Sequence, residues 1–301
     1  MTFSKNGLFN ITKDSNKNDV YHFTESTNIN YRNPDGKATF TINNAILKPT
    51  PYTYSFYANG SDTNRTVKDM LLVRNGQNID MYFKNAVYKG NFGFYFGAYA
   101  IPTYYTFDGN YNGNTDTSLK GKAFVGNAYI SANAPVFTFK NGAVADITDF
   151  KTIGWNTSWF SYGLNLDNQA KVTIQNFAVT LSGRGLINVD HNSNLKITNF
   201  GYRVGDLTVN VMNQSTLDMG TITSIVDPVG WTSWSVDANS KPKKVINVDN
   251  STLKGNFTLA KITEGMRIKN QNAGFIFNFK NNAKFEGKIY NNIGVTKNST
   301  G

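Results

Sequence analysis

Residues 164–174 read Leu-Asn-Leu-Asp-Asn-Gln-Ala-Lys-Val-Thr-Ile, and residues 187–197 read Ile-Asn-Val-Asp-His-Asn-Ser-Asn-Leu-Lys-Ile. Both stretches place an apolar residue at every second position on either side of a short polar turn. This alternation is typical of two β-strands that share one inward face. The turn centres on Asn168 in the first stretch and on His191 in the second. We call this position the turn anchor.

The same stretch recurs along the chain. The clear anchors are Asn141, Asn168, His191, Asn213, Asn250 and Asn281, which are separated by 27, 23, 22, 37 and 31 residues. The copy at Asn250 is one residue short after its anchor. Looser copies occur at Asn44, Asn85 and Asn127, with gaps of 41 and 42 residues. Each wide gap predicts either two coils or one coil with a long excursion.

A repeat of this length predicts a solenoid, because a unit of 20 to 30 residues buries its apolar face only by stacking on its neighbours. We therefore predict an all-β, right-handed parallel β-helix with three short strands per coil and stacked anchors that share amide hydrogen bonds. Residues 1–301 form one domain in this interpretation, with an N-terminal cap over residues 1–24. The alternative is a β-sandwich or barrel, whose strands also recur at short intervals.

Composition limits the class of protein and of partner. The net charge of +10 favours a polyanionic partner, such as an acidic polysaccharide, although a basic protein also gains solubility from its charge. Cysteine is absent, which excludes disulfides and thiolate metal sites. No apolar run is long enough to insert into a membrane. Residues 1–6 lack the apolar core of a signal peptide, so an exported protein would be represented here by an excised segment.

The coils resemble a known family. The strand–Asn-Ala–strand segments at 38–47 and 81–88, and the aromatic segment 92–97, are similar to the pectate-lyase-like adhesive domains of Gram-positive surface proteins. The binding regions of serine-rich repeat adhesins of lactobacilli are the nearest likeness, over about residues 38–290. The resemblance implies a secreted solenoid anchored to the cell wall through other segments. It also implies binding of polysaccharide or host glycoconjugates, in some cases preferentially at acid pH.

The four tryptophans lie in two short loops and are candidate sugar platforms. They are Trp155, Trp159, Trp231 and Trp234. A tryptophan ring offers a flat apolar face to sugar C–H groups and an N–H to a hydroxyl. The alternative is that these rings cover the core, as large aromatic side chains usually do. Tyr104 and Tyr105, beside Pro102, are further candidates if they lie in a loop, although a core position also fits them.

Basic residues supply candidate anion contacts. They are Arg184, Arg203, Lys243 and Lys244. Guanidinium groups suit the carboxylates of uronic acids. Asp167, Asp190 and Asp249 each precede an anchor and would form an outward row, interrupted by Lys140, Met212 and Lys280. An unbroken row of this kind would suit a weak calcium strip or a pH sensor, but the interruptions break it. Protonation of Asp190 and Asp249 would tighten polyanion binding in acid.

Nothing in the chain predicts catalysis, a metal or a cofactor. The acidic residues are spread thinly, the two histidines are too few for a histidine metal site, and no nucleotide fingerprint or nucleophile motif occurs. We therefore predict a monomeric adhesin region that binds polysaccharide, glycoprotein glycans or other polyanions. Nucleic acid is a further polyanion that a basic surface can bind, but no recognition motif predicts it as the specific ligand. The alternatives are a polysaccharide lyase or hydrolase on this fold, and a projecting segment of an autotransporter or toxin.

Overall fold

A computed structural model describes residues 2–3, 9–13, 19–23, 29–30, 38–49, 53–57, 64–68, 70–73, 79–94, 103–130, 135–152, 162–179, 184–202, 206–223, 244–259 and 275–291. The strands of the first half are β1 (Thr2–Phe3), β2 (Phe9–Lys13), β3 (Asp19–Phe23), β4 (Ile29–Asn30), β5 (Ala38–Asn43), β6 (Ile46–Pro49), β7 (Thr53–Tyr57), β8 (Asn64–Lys68), β9 (Met70–Val73), β10 (Ile79–Lys84), β11 (Val87–Phe94), β12 (Thr103–Asp108) and β13 (Phe124–Ile130). A short 3-10 helix, Thr117–Leu119, precedes β13.

The second half continues with strands alone in its described residues. They are β14 (Pro135–Lys140), β15 (Val144–Thr152), β16 (Tyr162–Leu166), β17 (Lys171–Val179), β18 (Arg184–Val189), β19 (Asn194–Tyr202), β20 (Asp206–Met212), β21 (Thr216–Thr223), β22 (Lys244–Asp249), β23 (Thr252–Leu259), β24 (Phe275–Lys280) and β25 (Lys284–Asn291).

The strands form a parallel β-solenoid with two long sheets. A nine-stranded sheet has the order β24-β22-β20-β18-β16-β14-β12-β10-β5, and all its neighbours are parallel. The twelve-stranded sheet runs from the antiparallel hairpin β2–β3 through β6, β11 and the odd-numbered strands to β25, with β9 beside β11. From β10 onward, successive strands alternate between the two sheets. This parallel stacking confirms the predicted solenoid and excludes the antiparallel sandwich.

The turn anchors adopt the left-handed conformation, which asparagine tolerates. Positive φ angles occur at Asn44, Asn85, Asn141, Asn168, His191, Asn213, Asn250 and Asn281. The predicted anchor at Asn127 is wrong, because this residue lies within β13. Its place is taken by Gly109, with φ of 73°, directly after β12. Glycine reaches this conformation without steric cost, so the turn does not require asparagine.

Each described coil shows two strands rather than the three predicted, because two short strands have fused. In β17, exposed and buried residues alternate up to Ile174. The alternation then shifts by one residue, so that Phe177 and Val179 are the next buried side chains. The register between β15 and β17 also omits one pair at this point. The long strands of the twelve-stranded sheet therefore combine the second and third predicted strands.

Stacked rings fill the interior. Under the nine-stranded sheet, the Phe83 and Phe107 rings lie 4.7 Å apart and the Phe107 and Phe139 rings 4.8 Å apart. Under the twelve-stranded sheet, Phe177 lies 5.1 Å from Phe150 and 5.2 Å from Phe200. Each such pair contributes about 0.5–1.5 kcal/mol beyond the burial of its area. These ring contacts join neighbouring coils inside the solenoid.

Candidate functional site

The two sheets present outward faces that differ in charge. From β6 to β25, the strands of the twelve-stranded sheet carry eight lysines and four carboxylates. The strands of the nine-stranded sheet carry five basic residues, one of them buried, and four carboxylates. Positive charge in the described residues is therefore concentrated on the twelve-stranded sheet.

Ion pairs neutralise part of this charge. Lys48 lies 3.1 Å from Asp116, Lys151 lies 2.7 Å from Asp149, and Lys254 lies 2.7 Å from Glu286. Five exposed lysines of the sheet have no ion pair with any described residue: Lys89, Lys171, Lys196, Lys284 and Lys288. We call these five residues the lysine face. Asp218, which lies opposite Lys196 in the register, is the one carboxylate near them that forms no salt bridge within the described residues.

The lysine face forms three groups along the rod. Lys171 and Lys196 lie on adjacent strands, β17 and β19. Lys89 lies three strands before this pair on β11, and β25 with its two lysines lies three strands after it. At roughly 4.8 Å per strand, the groups are about 14 Å apart. Such regular spacing suits a linear polymer that carries repeated negative charges, because each contact raises the effective concentration of the next.

These positions follow from the local sequence. Lys171 and Lys284 begin strands directly after a turn, and Lys196 lies two residues farther along its strand, all on the outward phase. Inward neighbours such as Val172 and Ile174 are buried. Because successive side chains of a strand point to opposite faces, the buried residues fix the outward direction of the lysines.

A compact polar cluster lies on the opposite, nine-stranded face. Tyr82 donates a short hydrogen bond to Asp108, and the Lys140 amine lies 3.5 Å from the same carboxylate and 5.1 Å from the centre of the Tyr82 ring. Asn141 donates a further hydrogen bond of 2.6 Å to Asp108. Burial opposes ionisation of Asp108, but the hydrogen bonds from Tyr82 and Asn141 outweigh it and lower its pKa. Asp108 is therefore an ionised acceptor that joins three consecutive coils.

The Tyr82 hydroxyl keeps its proton. Burial and the hydrogen bond to Asp108 both raise the pKa of Tyr82. The pKa of Lys140 is also raised, since its contacts with Tyr82 and Asp108 outweigh its partial burial. The cluster thus presents a phenol, an ammonium group and a carboxylate in fixed protonation states, which is an arrangement for binding rather than for proton transfer near neutral pH.

One group of side chains has the composition of a metal site. Suitable ligand atoms of Asp167, Asp190 and His191 lie within 4.8 Å of one another, and this is the one such group in the described residues. The Nδ1 atom of His191 is 2.7 Å from Asp167 and 3.6 Å from Asp190. The hydrogen bond to Asp167 is the main cause of a raised pKa for His191. The group therefore acts as an ion pair when the imidazole is protonated.

The acids that directly precede the turns link coils together, and they include Asp108 before Gly109 in addition to the predicted row. Asp108 accepts from Asn141, Asp190 accepts from Asn213 at 2.7 Å, and Asp249 accepts from Asn281 at 2.5 Å. His191 contacts Asp167 in the same manner. Each carboxylate therefore receives a hydrogen bond from the anchor of the following coil. The role of Asp190 and Asp249 seen here is structural, and their part in repelling a ligand stays a prediction.

Most of the predicted sugar and anion contacts lie outside the described residues. This holds for Trp155, Trp159, Trp231, Trp234, Arg203 and Lys243. The two tryptophan segments each connect a strand of the twelve-stranded sheet to the next strand of the nine-stranded sheet, β15 to β16 and β21 to β22. Arg184 is exposed at the start of β18, and Tyr104 is half-buried on the outward phase of β12.

Two predicted contacts need correction. Tyr105 is 0% exposed and packs against Phe137 at 5.1 Å, so it belongs to the core and not to a ligand surface. Lys244 is 5% exposed, and burial lowers its pKa. Both residues occupy the inward phase of their strands. Neither side chain reaches a ligand that lies on the outer surface.

Sequence interpretation missed the lysine face because its five members lie three to seven residues after their anchors and therefore share no single position in the repeat. The repeat frame itself could have revealed them, since each falls on the polar phase of an outward-facing strand. In the described part of the chain, no helix has the length and apolarity to cross a membrane. No family model, curated protein or solved structure matches this chain.

Proposed function

We propose that this chain is the binding region of a bacterial cell-surface adhesin and that it holds an acidic polysaccharide along the lysine face. The observation that carries the proposal is the concentration of exposed lysines without ion pairs on this sheet, five against the three such basic residues Lys84, Arg184 and Lys280 in the described strands of the nine-stranded sheet. Lysine is a compact charge without the planar fork of arginine, and no arginine occurs in the described strands of this sheet. Recognition of this kind depends on charge density along the polymer and tolerates variation in its sugars.

Affinity on this surface arises from many weak contacts. An exposed charge pair contributes little by itself, about 0–1 kcal/mol. A polymer that meets several lysine groups in turn gains avidity, since the stacked coils hold the groups at fixed spacing. The rod thus contributes pre-organisation, and the polymer contributes repeated anions.

Acid pH should strengthen this binding through a carboxylate of the same sheet. Asp149 pairs with Lys151, and protonation of this acid would release the lysine for the ligand. Burial opposes ionisation of Asp149, but hydrogen bonds from Lys151 and Asn176 outweigh it and lower its pKa. Its release therefore needs a pH below the ordinary aspartate range. Dextran sulfate tests this at pH 2.5 and pH 7.5 in matched salt, because the polymer keeps its charge. Equal binding at both values removes the acid-pH claim.

The central experiment compares the two faces at equal change of charge. The triple variant Lys171→Gln, Lys196→Gln, Lys288→Gln removes three exposed charges from the lysine face. The control Lys84→Gln, Arg184→Gln, Lys280→Gln removes three exposed charges from the nine-stranded sheet. We expect at least a tenfold loss of polygalacturonate affinity for the first variant and less than about threefold for the second. Equal losses would show that net charge alone, and not this face, attracts the polymer.

The same incubation separates binding from cleavage. A lyase or hydrolase would release unsaturated products or reducing ends from polygalacturonate, whereas a binding region leaves the polymer length unchanged. The proposed location is outside the cell, with attachment to the wall through other segments. A C-terminal outer-membrane barrel in the natural gene would instead favour the autotransporter alternative.

A further inference from the structure

The nine-stranded sheet carries a continuous row of side-chain amides on its outward face. Asn188 donates to Asn165, Asn210 to Asn188, Asn247 to Asn210, and Asn278 to Asn247, each at 2.8 Å. We call these five residues the amide row. Thr138 and Thr106 continue the row towards the N-terminus, where Tyr82 occupies the same column.

The amide row keeps unused hydrogen-bonding capacity. A primary amide has two N–H donors and an oxygen with two lone pairs. Each interior rung, such as Asn188, uses one N–H towards the preceding coil and one lone pair towards the following coil. One donor and one acceptor per rung therefore remain for a ligand. Sugar hydroxyls are themselves both donors and acceptors, so they match this pair.

A second, mostly apolar row runs beside the amides. It contains the residues two positions before each amide-row position, which lie on the same face because strands have a period of two. In register order these residues are Tyr104, Val136, Gly163, Leu186, Thr208, Val245 and Ile276. Leu186 and Ile276 are 42% and 46% exposed. We call this set the apolar row.

The two rows carry no charge from β12 to β24. Their N-terminal end is aromatic, with the half-buried Tyr82 ring under the Lys140 amine and Tyr104 on the adjacent strand. An uncharged strip with apolar groups on one side and amides on the other matches a pyranose ring, which has apolar C–H faces and a hydroxyl edge. The spacing of roughly 4.8 Å between rungs is close to the length of one sugar residue in an extended chain.

We propose that the amide row and the apolar row form a second binding surface, which takes a neutral linear polysaccharide lying along the rod. Hydroxyl edges bond to the remaining amide groups, and C–H faces lie on Leu186, Val245 and Tyr104. This surface lies on the opposite sheet from the lysine face and differs from it in chemistry. It does not depend on the anionic ligand of the proposed function.

Threonine provides a mild substitution for testing the surface, since Thr106 and Thr138 already occupy the amide column and Thr208 the apolar column. The test variant is Leu186→Thr, Asn188→Thr, Asn210→Thr. The control is Asn176→Thr, Asn199→Thr, which alters the amide ladder of the other sheet, where Asn199 donates to Asn176 at 2.9 Å. Immobilised xylan, mannan and dextran are the probes, each at 50 mM and 500 mM salt.

We expect the parent chain to bind at least one of these neutral polymers with little dependence on salt, and the test variant to lose at least tenfold in affinity. The control should stay within about twofold. Failure of all three polymers to bind, or equal loss in test and control, overturns the proposal. If the test variant is too unstable, Leu186→Arg places a bulky charge on the exposed surface and should block binding equally. Polygalacturonate binding, measured in parallel, reports separately on the lysine face.

Discussion

The two outward faces of the rod share one interior but differ in what they present to solvent. On the twelve-stranded sheet, the exposed positions hold separated lysines such as Lys171 and Lys196. On the nine-stranded sheet, equivalent outward positions hold Asn188 and Asn210, which are joined into a ladder. Inward positions are apolar in both sheets with few exceptions, such as Lys244. The solenoid therefore separates stability from recognition, because outward residues change without disturbing the stacked core.

The same contrast separates two kinds of side-chain order. Neighbouring amides hydrogen-bond to one another along the rod, so their positions are fixed before a ligand binds. The lysines have no ion pairs within the described residues and retain the rotamer freedom of long side chains. A neutral ligand would meet a pre-organised surface, whereas an anionic ligand would order the lysines when it binds.

The largest expected difference between the two faces is the salt dependence of their affinity for a polymer. Counterion release lowers the affinity of a single-stranded polyanion by about 0.7 log units per contact for each tenfold rise in salt. Five lysine contacts therefore predict a loss on the order of a thousandfold for polygalacturonate between 50 and 500 mM salt. Titration of immobilised polymer at several salt concentrations measures the slope. A slope unchanged in the variant Lys171→Gln, Lys196→Gln, Lys288→Gln would show that the contacts lie elsewhere.

The amide ladders should differ in their contribution to stability. Asn188 donates to one coil and accepts from the next, whereas Asn199 has only its bond to Asn176 among described side-chain amides. At about 0.5–1.5 kcal/mol per bond, Asn188→Ala should lower the free energy of unfolding by about 1–3 kcal/mol and Asn199→Ala by about half as much. Urea denaturation with a shared m value compares them. Equal losses would mean that the ladder bonds are not the source of the difference.

The turn geometry made much of the fold predictable. Asparagine tolerates the left-handed conformation, and its side-chain amide donates to the preceding coil, so Asn141, Asn168 and Asn213 marked their turns in the sequence. Gly109 escaped notice because it reaches the same conformation without an amide. The missed anchor also hid the phase of β12, and with it the burial of Tyr105. Four residues before an anchor is an inward position, as Phe137 before Asn141 shows.

The binding surfaces were less predictable than the fold. The alternation of inward and outward positions along β22 places Lys244 inward with Ile246 and Val248, although its charge suggested a surface position. The lysine face becomes visible only when several strands are aligned, because its members are distributed over four strands that are far apart in sequence. The amide row was visible as a repeated Asn between apolar residues, but its bonding between coils appears only when the strands are aligned.

The smallest expected effect is a pH dependence of stability at His191. This residue is the one turn anchor between Asn168 and Asn281 that is not asparagine. His191 pairs with Asp167 and lies near Asp190, with Asn168 and Asn213 at the neighbouring anchors. Because the hydrogen bond to Asp167 raises the folded-state pKa of His191, its stabilising contribution is complete below the ordinary histidine pKa of about 6.5. That contribution is lost as the pH rises through the raised value.

We therefore expect the parent chain to lose stability between pH 5.5 and pH 8.5, and His191→Asn to lose less. Asparagine restores the residue type of the other anchors, so this variant keeps the turn and removes the titration. His22→Asn is the matched control, because it removes the only other imidazole from the chain. Thermal unfolding midpoints at five pH values measure the difference between the curves. If His22→Asn flattens the profile and His191→Asn does not, the titrating group lies at the N-terminal hairpin, and the nine-stranded sheet has no pH-sensitive turn at this coil.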